Sequence, residues 1–153
     1  MYIPYTVSFL VNRELTKVVL IDKDKPSDPI IHGKLNGLGG KIKIDANETW
    51  VETAEISAQR EIKEECGIHV PLNSINFLAK DITDVNRYVI FFYGAVIDNI
   101  HEAKTMEKET IVVMDIEELL KLPQDRIAPN VKWLLSAYLA NACVGEFNNK
   151  RFH

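Results

Sequence analysis

Nine residues, Arg60 to Ile68 (REIKEECGI), place three carboxylates, Glu61, Glu64 and Glu65, within two turns of a predicted helix. Spacings of three and four bring side chains onto one helical face. Glu61 and Glu65 are then like-charged neighbours at i,i+4, an arrangement that costs a helix roughly 0.2–0.5 kcal/mol. The cluster also falls in the last turn before Gly67, the expected C-terminal cap, where the helix dipole disfavours negative charge. A sequence shaped for helix stability alone would carry Lys there. Carboxylate oxygens gathered at that end make sense opposite a cation, and they suit a hard divalent ion such as Mg²⁺. The competing reading is a solvated acidic face paired with Arg60 and Lys63, since Glu-rich helix faces are common.

The elements that must position this cluster read as a mixture of strands and helices. Tyr5 to Val11 and Lys17 to Ile21 are apolar and β-branched and flank the polar Asn12-Arg13-Glu14, the pattern of a hairpin. Lys25 to Gly33 carries two prolines and reads as a loop. Leu35 to Ile44 reads as a strand and turn punctuated by glycines, and Thr49 to Cys66 as the first long helix, with Val51, Ala54, Ala58 and Ile62 on its apolar side. Strands are expected at Ile75 to Lys80, Tyr88 to Ile97 and Thr110 to Met114, a short helix at Ile116 to Leu120, and an amphipathic helix at Asn130 to Cys143.

At 153 residues the chain is one domain, 1–153, long enough to bury a sizeable core. A hydrophobic fraction of 46% with 26% charged residues is that of a globular protein. The net charge of −4 argues against a nucleic-acid polymer as partner, because such proteins present a basic face. Cys66 and Cys143 lack metal-type spacing and read as packed thiols in a reducing compartment. No apolar run reaches membrane-spanning length, and Met1-Tyr2-Ile3-Pro4 lacks the charge pattern of a signal peptide, so the expected location is cytoplasmic.

Taken with the Gly-rich turn Gly37-Leu38-Gly39-Gly40-Lys41, the cluster resembles the Nudix box, G-x5-E-x7-R-E-U-x-E-E-x-G-U, where U is a bulky apolar residue. Arg60, Glu61, Ile62, Glu64, Glu65, Gly67 and Ile68 match its back half, and Glu52 stands seven residues before Arg60. The front half departs: the box glycine should fall at position 46, which is Ala46, so Lys41 to Val51 carries six extra residues if Gly40 is that glycine. Either Glu52 is the box glutamate after a longer loop of Lys43 to Thr49, or Glu48-Thr49 starts the helix and one turn has been added before Arg60. Neither placement disturbs Glu61, Glu64 and Glu65.

The resemblance implies an α/β/α sandwich with a mixed sheet and a hydrolase of nucleoside diphosphates linked to a further group, using Mg²⁺ or Mn²⁺. By matched position, Glu61, Glu64, Glu65 and the carbonyl of Gly40 would hold metal, Arg60 would orient the carboxylates, and Lys41 would meet phosphate. Glu109, with Glu107 and Glu52 as alternatives, would serve as general base or further ligand. Within the family, Asn36 in Lys34-Leu35-Asn36-Gly37-Leu38-Gly39-Gly40-Lys41 resembles the turn of the MutT-related oxidised-purine nucleoside triphosphatases, where an asparagine reads the purine edge. Ala128-Pro129-Asn130-Val131-Lys132-Trp133-Leu134 resembles the stretch that sets an Asp or Asn against the base. Asn130 reads equally as a helix N-cap. One of Phe91 and Phe92 should line a base pocket and the other the core. Trp50 reads as a lid, dimer or packing contact, and His32 as an exposed loop residue.

The resemblance therefore implies 8-oxo-dGTP hydrolysis to the monophosphate and pyrophosphate, by a monomer or homodimer whose partner is a small nucleotide. The alternatives are another nucleotide substrate, such as an unmodified or pyrimidine triphosphate or ADP-ribose, and a catalytically silent ligand-binding module.

Overall fold

Alternation of side chains decides the layering. In β1 (Ile3–Asn12) and β2 (Lys17–Asp22), Phe9, Val11, Val18 and Leu20 are buried in one apolar core, and Leu10, Val19 and Ile21 in another. Strands that are apolar on both faces must be covered twice. The computed structural model, which describes residues 1–23, 33–85 and 87–152 and side chains as far as residue 142, shows that double cover. Helix α1 (Ala54–Cys66) packs Ala54, Ala58, Ile62 and Cys66 onto the Leu10 face, a stripe at four-residue spacing. The final helix packs Val131, Leu134, Leu135 and Tyr138 onto the Phe9 face, together with Ile116 and Leu119 from a shorter one.

The sheet, seven-stranded among the described residues, is mixed. The two short strands Leu35–Asn36 (β3) and Leu38–Lys41 (β4) precede α1; β5 (Asn76–Thr83), β6 (Tyr88–Ile97) and β7 (Thr110–Asp115) follow it. β1 runs parallel to β6 from Ile3↔Tyr88 to Asn12↔Ile97. Its other side is shared: Tyr5 to Ser8 pair with β4, and Leu10 and Val11 with β2. β7 lies antiparallel along the whole of β2, which brings Thr110 opposite Asp22. Helices α2 (Ile116–Lys121) and α3 (Val131–Phe152) close the second face. The α/β/α sandwich expected from the sequence is present.

Two boundaries differ from expectation. α1 starts at Ala54, not Thr49, because Thr53 takes extended backbone and its hydroxyl accepts the Ile56 N–H at 3.2 Å, an N-cap. Residues 43–51 form a small hairpin instead of a helical turn. Asp45 Oδ1 accepts from the Asn47 and Thr49 N–H groups, Glu48 adopts φ 63°, and Ile44 bridges Trp50. α3 starts one residue later than expected and runs beyond Cys143 to Phe152. The expected loop of Lys25 to Gly33 lies outside the described residues up to its last member, and His32 lies outside them too. Among the described residues no helix is long and apolar enough to cross a membrane, and Cys66 is a buried free thiol.

Candidate functional site

The same stripe that seats α1 on the sheet carries the acidic cluster to the sheet's surface. Glu65 follows Ile62 by three residues and is therefore drawn under the helix, where it is buried. Its Oε1 accepts the Gly39 N–H at 2.6 Å. Glu61, one turn earlier, lies over Gly40 so closely that a Cβ there would stand 2.6 Å from Glu61 Oε1. Gly39 is fixed by a second crowding: a Cβ on it would fall 1.8 Å from the Thr6 carbonyl oxygen. Both glycines are needed because backbone, not side chain, must meet the carboxylates and β1.

Arg60 gathers the flank. Its guanidinium donates to both oxygens of Glu52 at 2.6 and 3.0 Å, to Glu61 Oε1 at 3.0 Å, to Glu64 Oε2 at 3.1 Å and to the Lys41 carbonyl at 3.2 Å. The planar fork makes such multiple pairing possible. Glu52 also accepts the Lys43 N–H at 2.9 Å, which ties the hairpin to the helix. Arg60 holds the Glu52 carboxyl below its ordinary range. This favours the first of the two placements: Glu52 follows an enlarged loop and braces Arg60, and Glu48 starts no helix.

The opposite flank was not foreseen. Lys23, only 7% exposed, sends its ammonium 3.6 Å from Glu65 Oε2, 3.6 Å from Glu109 Oε2 and 3.5 Å from the Gly39 carbonyl oxygen. Nothing in the spacing around Lys23 marks it. The pairing of β2 with β7 is what carries Lys23 and Glu109 to one end of the sheet. Glu109 Oε2 is buried and has no hydrogen-bond partner. Glu107 is exposed.

Among the described residues, five carboxylates (Glu52, Glu61, Glu64, Glu65 and Glu109) thus stand around two cations (Arg60 and Lys23), three more formal negative charges than positive. Burial pushes the Glu65 carboxyl up to about 7 despite Lys23 and the Gly39 N–H, and burial also raises Glu61. Glu64 remains 46% exposed on the rim. Among the described residues no three acidic, imidazole or thiol side chains are gathered as a ready-made metal cage. The reason is visible in the pairing, which draws Glu61 and Glu64 toward Arg60 and Glu65 and Glu109 toward Lys23. The donor chemistry nonetheless fits a hard divalent ion: oxygen ligands only, one of them an unpartnered buried carboxylate oxygen, beside a glycine cradle that a side chain would fill.

The expected substrate contacts are dispersed. Asn36 Oδ1 accepts the Gly37 N–H at 2.8 Å, and Lys41 is exposed. Asn130 does not cap α3 through its side chain. It sits at φ 75°, donates to Asp81 Oδ2 at 3.3 Å and accepts from Trp133 Nε1 at 3.0 Å. No hydrogen bond joins Asn36 to Asn130. Of the paired aromatics, Phe92 packs into the α3-side core, while Phe91 faces the α1 side and meets Trp50 edge-on at 5.6 Å between centroids.

A mixed sheet between helices, with a glycine turn laid against a glutamate-bearing helix, is the Nudix fold. The sequence matches no family model and no curated protein. Solved structures supply the likeness. The NUDIX domain of Shewanella oneidensis NrtR, complexed with ADP ribose, superposes with a TM-score of 0.71 at 15% identity, covering 93% of this chain and 89% of that one. A MutT from work on Aliivibrio salmonicida and Vibrio cholerae gives 0.67 at 18%, covering 90% and 99%, and the MutT NUDIX hydrolase of Burkholderia pseudomallei gives 0.65 at 21%, covering 89% and 97%.

Proposed function

We propose that the chain is a Mg²⁺-dependent nucleoside triphosphate pyrophosphohydrolase, with 8-oxo-dGTP as its leading substrate. One observation carries the hydrolase reading: an excess of carboxylates at the Gly39-Gly40 turn, one with a buried oxygen that no donor satisfies. A divalent ion held there by Glu61, Glu64, Glu65 and Glu109 would neutralise phosphate charge and polarise the phosphorus. The chain's own residues do the rest. Arg60 fixes the helix flank through Glu52, so that Glu61 and Glu64 are presented at set positions. The Gly39 N–H holds Glu65 by Oε1, which leaves Oε2 facing the Lys23 ammonium. Lys41, exposed at the end of β4, is available to the phosphate chain. Asn36 keeps its amide hydrogens for a purine edge while its oxygen is used by Gly37.

ADP-ribose is the second reading, favoured by the ADP ribose bound in the NrtR domain that superposes on 93% of this chain. Purified protein with Mg²⁺, offered 8-oxo-dGTP, dGTP, dCTP, dUTP and ADP-ribose with pyrophosphate and phosphate read separately, decides between them. Preference for 8-oxo-dGTP with pyrophosphate release is the expected result. Preference for ADP-ribose replaces the substrate but keeps the chemistry. No turnover of any compound, with ADP-ribose binding retained, would make the chain a ligand-binding module.

A further inference from the structure

We infer that Lys23 is a built-in counter-cation that occupies the charge position of a divalent ion and is displaced when that ion binds. This rests on the metal-dependent reading above. The geometry is specific. One ammonium lies at equal distance, 3.6 Å, from Glu65 Oε2 and Glu109 Oε2, on side chains from α1 and from the residue just before β7. At 3.6 Å both contacts are looser than a hydrogen-bonded ion pair, whose N···O distance is about 2.7–2.9 Å. Glu109 Oε2 has no other partner and is buried. Lys23 therefore balances charge without giving Glu109 Oε2 a hydrogen bond.

A divalent ion ligated by Glu65 and Glu109 would draw on those same two oxygens, at the 2.0–2.6 Å typical of Mg²⁺ or Ca²⁺. An ammonium cannot keep its position between them once they close on the ion, because the two cations repel strongly in a site this buried. Lys23 is a positioning residue with two effects. It stabilises the buried Glu65 and the partly buried Glu109 when no metal is bound, and it weakens metal binding by competing for them. The flexible four-carbon stem of lysine permits the retreat, which a fork fixed by several bonds, such as that of Arg60, does not.

Calorimetric titration of wild type, Lys23→Met and Lys23→Gln with Mg²⁺ and Mn²⁺, after chelation, tests the inference. Competition predicts roughly tenfold or more tighter binding in the neutral variants, the direction Coulomb repulsion requires. It also predicts a lower melting temperature in chelator that metal restores. Unchanged or weaker metal affinity in both variants overturns the inference while leaving the metal site standing. Failure of the wild type to bind either metal overturns the metal reading itself. A measurement on the wild type needs no variant to fold: reductive methylation of Lys23, read by peptide mass, should rise several-fold at saturating Mg²⁺. Equal or reduced labelling would show that Lys23 stays in place.

Discussion

The acidic face of α1 and the polar corner at the start of α3 are built from the same kinds of group, yet they are held in different ways. On α1, Arg60 alone bonds three carboxylates and a carbonyl, and Glu65 is buried against Gly39. Removing one member leaves charges uncompensated in a partly dry site, which is where ion pairs matter most. At the α3 corner, Asn130 makes a long 3.3 Å bond to the Asp81 carboxylate and a neutral one from the Trp133 indole, and Trp133 is 59% exposed. Water or a ligand can replace such bonds with a net change of only about 1 kcal/mol each. The first region is committed to one arrangement, and the second can exchange partners. If the proposed function holds, that difference separates a fixed chemical centre from a corner where bonds to a base could be traded.

The largest expected effect comes from the committed region. Glu64→Gln should lower turnover roughly 10²–10³-fold, the scale of losing one preorganised charge in a reacting centre. It should leave the melting temperature nearly unchanged, because Glu64 is 46% exposed and its one ion pair is with Arg60. Steady-state rates beside a thermal melt check both halves. Turnover at the wild-type level would remove Glu64 from the metal set and reduce it to a rim charge.

A smaller effect separates the buried carboxylate from the exposed one. Glu65 is pushed up to about 7 from 4.5, with burial the first cause. Between those values the folded protein keeps a proton that the unfolded chain has released, so stability falls as pH rises through the window. The full effect is on the order of 3–4 kcal/mol for a shift of this size. Glu65→Gln keeps an oxygen for the Gly39 N–H and removes the titration. Urea midpoints measured in chelator from pH 4.5 to 7 should therefore slope downward in the wild type and flatten in the variant. Parallel curves would mean that Lys23 holds Glu65 ionised throughout.

What the sequence disclosed follows the same division. The acidic face was legible because its partners lie three or four residues apart, and helical spacing is a local property. The hairpin of β1 and β2 and the apolar stripe of α1 were legible for that reason too. The start of α1 was misjudged because Val51 and Ala54 continue an apolar rhythm, whereas the Asx turn at Asp45 and the left-handed Glu48 are local polar devices that periodicity does not register. Glu109 was singled out with Glu107, but Lys23 was missed altogether: its partners come from α1 and from the residue just before β7, a strand joined to β2 only by sheet register. The partnership of Asp81 with Asn130 was hidden in the same way, since 49 residues separate them.

The smallest predicted effect tests the exchangeable corner, and it depends on choosing the right substitution. Asn130 has φ 75°, a left-handed conformation that costs most residues about 1–2 kcal/mol. Alanine there would combine backbone strain with loss of the amide, and a weakened protein would be mistaken for a weakened site. Glycine adopts this backbone freely, so Asn130→Gly removes only the bonds to Asp81 and Trp133. Stability should change by no more than about 2 kcal/mol. If the corner reads a base, KM for the preferred purine nucleotide should rise several-fold while kcat holds, because binding is lost equally from ground and transition states. Unchanged KM and kcat would leave Asn130 as a local brace for Trp133 and move base recognition to Asn36 and the Trp50–Phe91 pair on the other face of the sheet.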